Sequence, residues 1–60
     1  MASTFAVEYQ DESENWRSEK GGFPNRTSAL QAALVLTEQR KIKARITNEE
    51  TGKLVFIVRP

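Results

Sequence analysis

Sixty residues with no cysteine and no histidine make one small domain at most. They exclude a disulfide framework, thiolate or imidazole metal ligands and the usual neutral-pH catalytic base. A chain this short buries only about 60% of its unfolded surface, so its core is thin and a partner subunit is the staple that remains available to it. The net charge of +1 is unevenly spread. Residues 1–19 set Glu8, Asp11, Glu12, Glu14 and Glu19 against Arg17, five carboxylates to one cation, a net −4. Residues 20–45 set Lys20, Arg26, Arg40, Lys41, Lys43 and Arg45 against Glu38, six cations to one carboxylate, a net +5.

The N-terminal run Met1-Ala2-Ser3-Thr4-Phe5 has neither a basic region nor a long apolar stretch, so no signal peptide is expected there. No run approaches the roughly 20 apolar residues that span a bilayer. A cytoplasmic location is the expectation, and the sequon Asn25-Arg26-Thr27 is discounted accordingly. Thr4 to Tyr9 alternates, with Phe5, Val7 and Tyr9 on one side and Ala6 and Glu8 on the other, which predicts a half-buried strand. Gln10 to Asn15 is polar and reads as a turn. Trp16 to Lys20 is a weaker second strand that completes a hairpin. Trp16 itself is expected in the core beside Tyr9, because so small a chain needs each large apolar side chain it has.

Gly21-Gly22-Phe23-Pro24 breaks regular structure, and the proline holds Phe23 extended. Thr27 or Ser28 is the expected N-cap of a helix, with Gln31 completing a capping box after Ser28. The helix is predicted from Ala29 to about Arg40. Leu30, Ala33, Leu34 and Thr37 form its apolar stripe, widened by Ala29, Ala32 and Leu36. Arg40 and Lys41 suit the negative end of its dipole.

Lys41 to Asn48 alternates again, and Lys53 to Arg59 is rich in β-branched and aromatic residues, so two more strands are predicted. Gly52 accepts positive φ, which fits a three-residue loop with a glycine bulge. That loop sets Glu49 opposite Lys53, Ile46 opposite Phe56 and Ala44 opposite Val58. Ile42, Ala44, Ile46, Leu54, Phe56 and Val58 then face the helix. Lys43, Arg45, Val55, Ile57 and Arg59 face away. A one-residue slip would reverse this sorting.

The expected fold class is therefore α+β: a β-β-α-β-β domain over residues 1–60, with an antiparallel sheet of about four strands and one helix on one face. Whether the two hairpins join within one chain or across two copies is open at this level.

For function, the carboxylates fall in solvated turns, the serines and threonines have no histidine base, and Gly21-Gly22 does not continue into a phosphate loop. Asp11, Glu12 and Glu14 miss calcium-loop spacing. No catalytic residue, metal, cofactor or small-molecule substrate is expected. An antiparallel sheet normally has a polar outer face, yet the last strand is apolar on both sides. The candidate interaction surface is Lys41, Lys43, Arg45, Val55, Ile57 and Arg59. The expected function is non-enzymatic protein binding, with self-association through the sheet. The alternative is a nucleic-acid-binding accessory role for the basic outer face, which needs Trp16 or Tyr9 to turn outward because sheet readers of RNA stack bases on aromatics.

Overall fold

The computed structural model describes residues 3–60; Met1 and Ala2, which belong to the N-terminal reading above, lie outside it. The elements are β1 (Phe5–Gln10), β2 (Trp16–Phe23), α1 (Arg26–Arg40), β3 (Ala44–Asn48) and β4 (Leu54–Val58). They form one antiparallel sheet in the order β2-β1-β3-β4, with the helix on one face. This is the expected α+β class. The two hairpins join inside a single chain, through β1 and β3.

The turn between β1 and β2 is organised by Asp11. Its Oδ1 accepts the N–H groups of Ser13 and Asn15, each at 2.9 Å, and its Oδ2 accepts Arg17 Nε at 2.8 Å. Such side-chain-to-backbone bonds are why aspartate favours turns. β2 runs on through Gly21 and Gly22 to Phe23, three residues past the predicted end. Two register shifts let it do so, one between Phe5 and Val7 and one between Val7 and Glu8. The flexible pair is absorbed as an irregularity rather than ending the strand. Gly22 sits at φ +77°, and its N–H donates to Glu49 Oε1 at 2.7 Å. The β3–β4 turn is thereby tied to the far edge of the sheet.

The helix starts earlier than its alanines indicate. Asn25 is the N-cap, and its Oδ1 accepts the Ser28 N–H at 2.8 Å. Ser28 supplies a backbone donor rather than the capping oxygen, because Pro24 holds the preceding chain extended and brings Asn25 to the helix entrance first. At the other end Lys41 adopts the left-handed conformation, φ 57°, ψ 39°, and its N–H donates to the Thr37 carbonyl at 2.9 Å. Ala29, Ala33, Leu36 and Thr37 are buried. Leu30 and Ala32 pack at the margin, and Leu34 stays largely exposed. The buried stripe is therefore turned toward Leu36, away from the predicted line through Leu34. The Thr37 hydroxyl satisfies itself by donating to the Leu34 carbonyl at 3.0 Å.

In the second hairpin, Ile46 opposite Phe56 and Ala44 opposite Val58 are as expected. The turn differs. Asn48 N–H donates to the Lys53 carbonyl at 2.9 Å, Gly52 N–H returns to the Asn48 carbonyl at 2.7 Å, and Asn48 Oδ1 accepts from Glu50 and Thr51. The loop is thus one residue longer, and Thr47 lies opposite Leu54. A register shift between Ile46 and Thr47 takes up the extra residue at Val55. With two residues opposite one, the strand bends and its alternation resets. Val55 packs against the core, and Leu54 moves to the outer face. The expected places of these two residues are exchanged.

The core comprises Val7, Ala29, Ala33, Leu36, Ala44, Ile46 and Val58, with Phe5, Tyr9, Phe23, Leu30, Ala32, Ile42 and Val55 around it. The helix lies chiefly over β3 and β1 and only grazes β2 and β4.

Two substitutions check the helix ends. Asn25→Ala should cost about 1 kcal/mol while Ser28→Ala costs much less, as read from urea unfolding, because only Asn25 caps. Lys41→Gly should stabilise by about 1 kcal/mol, because glycine occupies the left-handed region without the Cβ penalty.

Candidate functional site

The two edges of the sheet are built differently. β2 carries Arg17, Glu19 and Lys20 and two irregularities in its pairing. These are the features by which proteins keep an edge from recruiting another strand. β4 reads Leu-Val-Phe-Ile-Val. It contains no charge and no proline, and its irregularity lies close to the turn, leaving Phe56 to Val58 regular. An edge strand presents a row of backbone N–H and C=O groups without partners in its own sheet.

The bulge also shapes what lies beside that edge. Val55 and Phe56 stand together opposite Ile46 and turn toward the helix side. Because the helix is centred over β1 and β3, it does not cover them. The result is an open cavity of about 220 Å³ lined by Arg26, Thr27, Leu30, Ile46, Val55 and Phe56. Phe56 remains 56% exposed and Leu54, on the other face of the same strand, 53%. Two more large apolar side chains, Leu34 and Val35, are exposed on the helix; what sets Phe56 apart is that it borders both a cavity and a free strand edge, and exposed apolar area beside a groove is a mark of an interaction site.

The outer face of the sheet is more polar than the sequence pattern indicates. Arg45 on β3 donates through Nε to Glu8 Oε1 of β1 at 2.6 Å, the two side chains being 30% and 26% exposed. The Arg45 guanidinium carbon also lies 4.2 Å from the centre of the Trp16 ring. Trp16 pairs with Gln10, on the face away from the helix, so it is half-buried by stacking on Arg45 and does not enter the core expected for it. The cation is attracted to the ring face and to the carboxylate at once.

The six residues of the sequence-predicted surface separate into three groups. Arg45 and Ile57 are neighbours on the outer face, paired across β3 and β4. Lys43, half-buried, precedes β3, and its carbonyl accepts the Gln10 N–H at 2.9 Å. Val55 has left the face through the bulge. Lys41 caps the helix and shares a shallow cleft with Leu34, Glu38 and Arg59 at the opposite end of β4 from the turn. What sequence reasoning missed is the pocket beside Phe56. Its signal was Leu54-Val55-Phe56 itself, an apolar run that a strictly alternating strand could not have sorted.

A hollow of about 520 Å³ lies between β2 and the helix, lined by Glu19, Lys20, Phe23, Val35, Leu36 and Gln39 among others. It is the flank that the helix fails to reach. Lys20 Nζ lies 5.7 Å from the Phe23 ring centre there. Among the described residues no group of carboxylates is placed to hold a metal ion, and no helix is long and apolar enough to cross a membrane.

Of the carboxyl groups, Asp11 is held below its ordinary range. The Arg17 side-chain hydrogen bond is the largest cause, followed by the Asn15 backbone N–H.

Compared with known protein families, curated proteins and solved structures, the chain matches none.

Two measurements test these contacts. A double-mutant cycle of Glu8→Gln and Arg45→Gln should give a coupling of about 0.5–1 kcal/mol, the size of a cross-strand ion pair at partial exposure. For Asp11, a lowered folded pKa means that its contribution is complete above the ordinary aspartate value of about 3.9 and fades as pH falls through the folded value. The stability difference between wild type and Asp11→Asn should therefore be constant near neutrality and vanish in acid. A difference that grew on acidification would contradict the turn described here.

Proposed function

We propose that this protein is a non-enzymatic protein-binding module that takes an added strand on its β4 edge. The observation that carries this reading is the coincidence of an uncharged apolar edge with the pocket beside Phe56. In strand addition, main-chain hydrogen bonds supply affinity, and pockets for alternate side chains supply specificity. The thin core supports the same reading, because a domain that leaves Phe56 and Leu54 in water gains stability when a partner covers them. A second copy of the chain and a strand of another protein are both occupants that such an edge admits.

Peptides selected from an extended-strand library against the wild-type chain should bind Phe56→Lys at least about tenfold more weakly, the loss expected at a central anchor. They should also shift the amide resonances of residues 54–58. Binders indifferent to Phe56→Lys that shift Trp16 and Arg45 instead would move the site to the outer face and overturn the reading.

A second reading, single-stranded nucleic acid on the outer face, draws on Trp16 turning outward beside Arg45 with Lys43 close by in sequence. Against it, Arg45 is engaged by Glu8. Stacking on Trp16 would quench its fluorescence, and the effect would fade steeply as salt rises. Under the strand-addition reading, mixed-sequence single-stranded RNA leaves that fluorescence unchanged.

A further inference from the structure

From the charges around the β4 edge we infer that its occupant is an extended segment of another protein in which one large apolar residue is flanked by carboxylates. This rests on the strand-addition reading above and supplies the chemistry of the partner.

The apolar part of the partner follows from the pocket. Leu30, Val55 and Phe56 enclose a cavity of about 220 Å³ at the strand's edge. That is room for a large aliphatic or aromatic side chain. A strand laid beside β4 turns every second side chain toward the helix side, so one of them enters this cavity.

The acidic part follows from what surrounds it. Arg26 lines the cavity on the helix side. Lys53 precedes Leu54 and Arg59 follows Val58, so the edge strand is bracketed by cations. The ion pairs among the described residues are Arg17–Asp11, Arg40–Glu19 and Arg45–Glu8. None of them engages Arg26, Lys53 or Arg59, and all three of these are exposed. Carboxylates on an added strand would meet this frame of cations from both ends and from the helix side.

The same charges disfavour a second copy. A second copy would bring the same three cations, Arg26, Lys53 and Arg59, to an edge that already carries them, and like charges brought together across a strand pair are destabilising.

The test is an amide-resonance titration of the full chain with the capped peptide Glu-Glu-Val-Leu-Val-Glu-Glu and its counterpart with lysine in place of every glutamate. The expected result is shifts at Leu30 and residues 54–58 with the acidic peptide. Affinity should drop about tenfold or more with the lysine peptide, and fall as salt rises from about 0.05 to about 0.5 M. The double variant Arg26→Glu, Arg59→Glu, both sites exposed, should reverse the preference while keeping a dispersed spectrum. Equal affinity for the two peptides, with shifts still on β4, would overturn the acidic partner and leave the edge reading standing. Shifts on β4 produced by raising the protein concentration alone, accompanied by a concentration-dependent thermal midpoint, would assign the edge to a second copy. No shift on β4 under any of these conditions would overturn the edge reading together with the partner.

Discussion

The pairing of β1 with β3 is the constraint on which the rest of the molecule depends. Each hairpin closes through a short turn, but neither has a face wide enough to hold a helix. Joining them sets Val7 opposite Ile46 and Tyr9 opposite Ala44, and so makes one apolar surface from residues about forty positions apart. Ala29 and Ala33 of the helix are completely buried against it. Their small side chains let the helix approach closely, and Leu36 closes one side. β2 and β3 both run antiparallel to β1, so they are parallel to each other, and the helix is the crossover between them. Parallel strands need a connection of about this kind.

Centring the helix on two strands of four has a consequence at each edge. On the β2 side it leaves a broad hollow, but that strand is charged, irregular and tied down at Gly22 by Glu49. On the β4 side it leaves a strand with no charge at all. The charges that guard one edge are missing from the other, and that asymmetry points to β4 as the edge open to a partner. The single bulge at Val55 links the turn, the register and the pocket. The longer loop shifts the pairing, the bulge restores it, and the restored strand has Val55 and Phe56 side by side next to Arg26, Thr27 and Leu30 in the N-terminal part of the helix.

Charge follows the same division. The outer face looked like a basic patch when its strands were read alone, because Glu8 belongs to a distant part of the chain. Pairing β1 with β3 brings Glu8 onto Arg45 and neutralises the centre of that face. The cations around the far edge that no ion pair among the described residues engages, Arg26, Lys53 and Arg59, come from three separate segments and frame a strand with none of its own.

Local pattern was enough to determine the elements and their order. Alternation at residues 4–9 and 42–48, the β-branched run at 54–58 and the alanine-rich helix each carry their own period, and the inner half of the β3–β4 register follows from matching apolar faces. What the tertiary structure decided is everything that depends on contacts between distant segments. Strand order needed the β1–β3 pairing. The place of Trp16 needed Arg45, which gave its ring a partner outside the core. The continuation of β2 through two glycines needed Glu49 to hold Gly22. The exchange of Val55 and Leu54 needed a bulge, and a bulge is a compromise between turn geometry and core packing that no single strand displays. Short-range periodicity reports which side of its own backbone a residue occupies, whereas the cover over that side is set by how the elements stack, and in so small a domain the helix covers only the middle of the sheet.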